Sequence, residues 1–387
     1  MKISYFDNAA TTKVDERVLD KMIPFYLTEY GNPSSIYSIG RSSKRAIDEA
    51  RTEVANLIGA KPQEIFFTGC GSESDNMAIK GIAFANRNKG NHIITTKIEH
   101  SAILESCKTL EKMGFEVTYL NVDKDGFIYL DELERSIRPT TILISIMLAN
   151  NEIGTIEPIK QAAAIAKKYN VYFHTDAVQA IGNINIDVND LGVDLLSMSS
   201  HKIYAPKGTG AIYIKTGVNI NRFLDGGHQE KGRRAGTENV AGIVGLGEAC
   251  RLARVNLEQH MDKVRRLNIY FMKNLYELID GVRVNGSTKF RLPGNLNISI
   301  KGIVGETLML KLDQRGICIS TGSACNTGQT LPSHVLHAIG LNEEDIQSSV
   351  RITFGNFNTK EEVDYLLTSI VEIVKELREE RRVRNYR

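Results

Sequence analysis

The chain has 387 residues, of which 42% are hydrophobic and 24% charged, with 48 lysines and arginines against 46 aspartates and glutamates. That balance excludes a disordered or membrane-embedded chain, and a net charge of +2 gives no global reason to bind nucleic acid. The five cysteines, at 70, 107, 250, 318 and 325, have no metal-ligand or C-x-x-C spacing and suit single thiols in a reducing cytoplasm. No apolar run approaches the roughly 20 residues of a membrane span, and the opening MKISYFDN has no apolar core of a secretory signal.

In chain order, Ile3–Phe6 is a short strand ending in the small-residue turn Asp7–Thr12, and Asp15–Tyr26 has the 3.6-residue apolar stripe of a helix. Gly31–Ser35 interrupts it, and Ser42–Leu57 resumes as an amphipathic helix. An alternation then begins: strands at Glu64–Thr68, His92–Thr95, Glu116–Asn121, Thr141–Met147, Val171–Phe173, Asp194–Met198 and Ala211–Ile214. Between them come helices at Ser72–Asn88, Ala102–Met113, Leu130–Ile137 and Pro158–Tyr169. This predicts an α/β chain with a mostly parallel sheet covered on both faces. From Val240 to Leu278 one long helix or a pair of helices leads into a smaller α+β unit with strands at Val282–Asn285, Asn295–Ser299 and Gly316–Ser320. Helices at Glu306–Asp313 and Lys360–Leu377 complete it. The expected division is a large domain of residues 13–255 and a small one built from 1–12 and 256–387. The arginine-rich end Arg378–Arg387 is expected to be a solvated tail, with docking of an acidic partner as the alternative.

The chemistry concentrates in Tyr172–Gly210. The first buried run there delivers His174, Asp176 and Gln179, and the second delivers Ser199, Ser200, His201 and Lys202. Strand C-termini of an open α/β sheet meet in one crevice. An Asp and a Lys meeting there is the layout pyridoxal phosphate requires, with lysine as Schiff-base partner and carboxylate on the pyridinium nitrogen. Thr68–Glu73, between a strand and a helix, places glycines and Ser72 at a helix N-terminus, which is a phosphate site or merely a cap. His100 is a cap, a core residue or a ring-stacking catalyst, and Asn150–Glu152 is a turn or a ligand contact. Cys325, in the small-residue stretch Gly322–Gly328, is an incidental surface thiol or a nucleophile. Cys318, inside a strand pattern, is expected in the core. Arg351 in VRITF is either core-edge decoration or a planar fork for a carboxylate.

These residues in this order resemble the cysteine desulfurases of the NifS/IscS type, within the fold-type I pyridoxal phosphate enzymes. The matching motifs are YFDNAATT, GNPSSIYSIG, SESDNMAIKG, NNEIGTIEPI, FHTDAVQAIG, SSHKIYAPKGTG, RRAGTENV, STGSACNTG with PSHVLHAIG, and VRITFGNFNTKEEVD. The resemblance implies a large domain with a seven-stranded sheet, and pyridoxal 5'-phosphate held by Lys202. Asp176 would face the ring nitrogen, Gln179 the ring oxygen, and His100 the ring face. Gly71, Ser72, Ser199 and His201 would hold the phosphate, with Thr237 reaching in from the other subunit of a homodimer. Asn151 and Arg351 would orient L-cysteine, with Arg351 on its carboxylate. Cys325 would take the sulfur as a persulfide and pass it to an acceptor protein in iron–sulfur assembly or tRNA or cofactor thiolation. It implies no direct nucleic-acid or membrane partner. A selenocysteine lyase, another enzyme of this fold, or a non-catalytic sulfur-relay protein are the alternatives. The chain departs from the family pattern at Gly69-Cys70, where Ser-Gly is usual. If that turn needs a left-handed backbone, Cys70 carries a cost or its glycine neighbours take up the turn.

Overall fold

The computed structural model describes residues 3–321 and 332–385. Its elements are β1 (Ser4–Tyr5), α1 (Glu16–Met22), α2 (Pro24–Leu27), α3 (Ser38–Ile58), β2 (Ile65–Thr68), α4 (Gly71–Ala85), β3 (His92–Thr96), α5 (Ser101–Lys112) and β4 (Glu116–Leu120). They continue with α6 (Leu130–Ser136), β5 (Thr141–Ser145), α7 (Ile159–Lys168), β6 (Tyr172–Asp176), α8 (Val188–Leu191), β7 (Leu195–Ser199) and β8 (Gly210–Ile214). After these come α9 (Val240–Leu278), β9 (Val282–Val284), β10 (Asn295–Ile300), α10 (Gly305–Asp313), β11 (Ile317–Cys318), α11 (His334–Ala338), α12 (Glu343–Gln347), β12 (Ser349–Thr353) and α13 (Lys360–Asn385).

Among the described residues the strands form three sheets. The largest has seven strands in the order β2-β8-β7-β6-β5-β3-β4, all parallel except β8, which runs against both β2 and β7. Its buried strands alternate apolar side chains between the two faces, as period-2 geometry demands. Ile94, Ile144, Phe173 and Leu196 enter one core with α3, α7 and the first part of α9. Ile93, Leu143, Leu195 and Ile212 enter the other with α4 and α5. The expected alternating α/β layer with both faces covered is therefore present.

A third core gathers Phe6, β10, β12, α10 and α13 around the antiparallel sheet β12-β10-β9. Helix α9 serves two cores: Ala241, Ile243, Leu246 and Cys250 belong to the first, Val264, Phe271 and Leu275 to the third. Residue 255 lies inside this one unbroken helix of 39 residues. Midway along it, His260 is within hydrogen-bond distance of Asn183 Oδ1 (2.9 Å) and Asn356 Oδ1 (2.5 Å).

Several local expectations are corrected. The helix expected over Asp15–Tyr26 breaks at Ile23, because Pro24 has no N–H to continue α1 and instead opens α2. Helix α3 starts at Ser38, four residues before the apolar stripe suggested. The arginine-rich end is exposed as expected from 379 to 383 but is helical rather than a loose tail: α13 continues to Asn385, and Arg378 donates to the carbonyls of Lys301 and Asp280. Cys318 is half-exposed rather than core, since its strand contributes only two residues to the pair with β1. Cys70 has φ −175°, an extended backbone open to any residue, so the departure at Gly69-Cys70 carries no left-handed strain. Among the described residues no helix is long and apolar enough to cross a membrane.

Candidate active site

The C-terminal ends of the parallel strands supply the floor of the site. Asp176, the last residue of β6, is 5% exposed and accepts the Val178 N–H at 2.8 Å. Burial raises its pKa, while the nearby charges of His100 and Lys202 act to lower it. A cationic ring nitrogen against it would restore the carboxylate by the same electrostatics. His174, two residues earlier on the same strand, is fully buried and bonds Ser145 and Ser197, each at 2.9 Å. Desolvation pushes its pKa down to about 3, so it is a neutral prop inside the sheet, not a member of the crevice as expected.

Beyond β7 the chain turns through Ser200–Lys202. The Lys202 ammonium donates to the carbonyls of Ala9 and, at 2.7 Å, Ala10. The same Ala9 carbonyl accepts Gln179 Nε2 at 2.9 Å. His201 Nδ1 stands 3.1 Å from Thr11 Oγ1, and burial beside Lys202 and Lys207 lowers its pKa to about 4. The N-terminal turn Asp7–Thr12 thus lines the lysine, a long-range contact no local pattern signals. Tyr204 follows with φ 67°, left-handed and strained by about 1–2 kcal/mol for a residue with a side chain. It is held there by Thr12 Oγ1 on its N–H, Asp15 N–H on its carbonyl and Asn356 N–H on its hydroxyl.

At the phosphate-type corner, Gly71 and Ser72 open α4, and Cys70 before them makes no side-chain cap. Ser199 Oγ, at the end of β7, is buried without a hydrogen-bond partner. A Cβ on Gly71 would stand 2.9 Å from Val178 Cγ2 and 3.3 Å from Ser199 Cβ, so a side chain here would press on Val178 and crowd the end of β7. An unpartnered hydroxyl beside open helix N–H groups is a fitting cradle for a phosphate. Glu73 accepts the Gly69 N–H at 2.8 Å and pairs with Arg234 at 2.9 Å. Thr237, three residues beyond Arg234, is exposed.

His100 caps α5, its Nδ1 accepting the Ala102 N–H at 3.1 Å. Glu99 beside it is fully buried, taking Thr96 Oγ1 and the Met147 N–H on one oxygen while the other has no partner. Burial raises its pKa to about 8. Glu152 is also buried; desolvation raises its pKa, while the hydrogen bond from Ser333 Oγ at 2.5 Å acts to lower it.

The remaining corner comes from the small sheet. Arg351, mid-strand in β12 and 3% exposed, donates from Nη2 to Asp7 Oδ1 at 2.7 Å and from Nη1 to the Asn151 carbonyl at 3.0 Å. Its Nε is buried without a partner. Arg351 also exchanges backbone hydrogen bonds with Ser320, at 2.6 and 3.0 Å. Asn151 and Arg351 are therefore brought together, with Asp7 as a partner the sequence reading missed. Cys325 lies outside the described residues.

Taken as a set, Lys202, Asp176, Ser199, Gly71, Ser72, His100, Gln179 and His201 offer an amine, a buried carboxyl and an anion cradle, which fits pyridoxal phosphate. Comparison with known proteins agrees. The chain matches the family model described as aminotransferase class-V over residues 4–366. It is 52% identical over 377 residues to a cysteine desulfurase IscS of Clostridium botulinum, covering 97% of this chain and 95% of that one. It is 53% identical over 377 residues to the cysteine desulfurase IscS of Methanosarcina thermophila, covering 97% and 93%. A solved NifS-like protein superposes with a TM-score of 0.91 at 41% identity, covering 97% of this chain and all of that one.

Proposed function

The chain belongs to the aminotransferase class-V family and is a pyridoxal phosphate-dependent cysteine desulfurase, and on that premise we propose the residues that carry the reaction. Lys202 holds the cofactor, Asp176 faces its ring nitrogen, His100 its ring face and Gln179 its ring oxygen. Gly71, Ser72, Ser199 and His201 hold its phosphate, with Thr237 of a second copy completing the site in a homodimer. The large domain is residues 13–255, and 1–12 with 256–387 form the small one. Bound there, pyridoxal phosphate supplies an electron sink that acidifies the substrate Cα–H and weakens its Cβ–S bond.

Arg351 and Asn151 orient L-cysteine, with the guanidinium on its carboxylate. Lys202 Nζ takes the Cα proton and later returns a proton to carbon. The Cys325 thiolate attacks the substrate sulfur: a sulfur–sulfur bond forms, the carbon–sulfur bond breaks, and L-alanine leaves with a persulfide on Cys325. A sulfur-acceptor protein in iron–sulfur cluster assembly or tRNA or cofactor thiolation then takes the sulfur, in the cytoplasm. The observation that supports this most is Lys202 at the end of β7, its ammonium lodged on Ala9 and Ala10 within the electrostatic reach of Asp176. The test is alanine formation from L-cysteine by wild type, Lys202→Ala and Cys325→Ala, with mass spectrometry for the persulfide. Both variants should fail, Lys202→Ala by at least about 10²-fold, while Cys325→Ala keeps its cofactor colour. Full-rate alanine formation by Cys325→Ala would remove the thiol from the mechanism.

A further inference from the structure

The guanidinium assigned above to the substrate carboxylate already carries a carboxylate. Arginine offers five N–H donors. Here one goes to Asp7 Oδ1 at 2.7 Å and one to the Asn151 carbonyl at 3.0 Å, while the buried Nε has none. Arg351 is thus neither bare nor saturated. Asp7 opens the same turn whose Ala9 and Ala10 carbonyls hold Lys202, so this N-terminal turn engages both cations of the site. Asp7 belongs to none of the roles given above.

Resting on the reading of Arg351 as the carboxylate anchor, we propose that Asp7 is a built-in competitor for that anchor, which weakens binding of every α-amino acid carboxylate alike. An arriving substrate adds a second anion to one buried cation. Asp7 and the substrate then repel each other across a guanidinium screened from water, where charges act strongly. L-Cysteine and L-alanine carry the same carboxylate, so the penalty falls equally on both. Equal weakening of substrate and product leaves the barrier measured from the bound state unchanged, raises KM and hastens release of alanine.

The experiment is calorimetric binding of L-alanine, together with KM for L-cysteine, on the cofactor-loaded enzyme. Asp7→Asn keeps an oxygen for the Arg351 hydrogen bond but removes the charge, and Asp7→Glu restores the charge. Asp7→Asn should tighten L-alanine binding and lower KM by a common factor of about tenfold, and Asp7→Glu should bind L-alanine more weakly than Asp7→Asn. Unchanged or weaker binding in Asp7→Asn overturns the proposal and makes Asp7 a positioning residue. Arg351→Gln separates the two readings. If it binds L-alanine as wild type does, the anchor assignment itself fails. If it weakens binding while Asp7→Asn does not tighten it, competition alone fails. In the double variant the Asp7 effect should vanish, because it acts through Arg351.

Discussion

Two arginine–carboxylate pairs in this chain, each with a buried guanidinium, are built to opposite specifications. Arg51 and Glu230, 7% and 2% exposed at their side chains, meet fork to fork with both contacts at 2.7 Å. Their spare valences are also used: Arg51 Nη1 donates to the Ile65 carbonyl, Glu230 accepts the Phe67 N–H, and the guanidinium lies 4.7 Å from the Phe67 ring. Arg351 and Asp7 share a single contact and leave Nε unpartnered. The first pair pins to β2 a segment with left-handed Glu230 and Lys231 that runs on to Arg234 and Thr237. A pair closed through both carboxylate oxygens is a rivet. The Arg351 pair, with one contact and an unpartnered Nε, keeps hydrogen-bonding capacity for a visitor.

The largest expected effect tests the rivet. Glu230→Ala strands Arg51 in the interior and should cost about 3–5 kcal/mol of unfolding free energy, measured by denaturant titration; a loss under about 1 kcal/mol would erase the distinction. A third carboxyl sharpens it, because buried Glu99 is satisfied by a hydroxyl and an amide rather than a guanidinium. Its pKa is raised from 4.5 to about 8, so the folded chain keeps its proton when the unfolded chain has lost it. The associated stability is complete below pH 4.5 and is lost as pH climbs through about 8. Glu99→Gln removes that loss. It should stabilise the cofactor-free chain by on the order of 3 kcal/mol at pH 7 and hardly at all near pH 4.5 in melts run across pH. An equal gain at both pH values would mean that Glu99 is not protonated in the fold. The smallest effect is expected at the unsaturated pair: Asp7→Asn keeps the hydrogen bond and should change stability by no more than about 1.5 kcal/mol, while its effect on L-alanine binding is large. A stability loss matching that of Glu230→Ala would place both pairs in the same class.

The floor of the site was legible because a strand written as an apolar run ends abruptly in polar residues. Asp176 closes YFHTD, and Ser199 closes LLSMS just before Lys202. The opposite wall was harder. Arg351 sits in the middle of a strand and reaches the site through pairing with Ser320 and Asp7, more than 30 and 340 residues away in sequence, which no local periodicity encodes. The carbonyls of Ala9 and Ala10 are invisible for another reason: every residue has a carbonyl, and only the fold selects these two for Lys202. Helix ends followed local chemistry where it was strong, as at Pro24, and ran past it where tertiary contacts extended them, as Arg378 does for α13. His174 was misplaced because a polar residue one turn of the pleat from Asp176 shares its face, yet helix α4, with Asp75 3.8 Å away, covers it.

Helix α9 carries a consequence for how the molecule comes apart. At about 1.5 Å per residue its 39 residues make a rod of roughly 58 Å, with apolar side chains in two cores and His260 clasped between Asn183 and Asn356. A core that owned all its walls could melt alone. Here neither core can lose α9 without uncovering the other, so the chain should denature in one cooperative transition, and the midpoint of the rod should be among the slowest amides to exchange with deuterium.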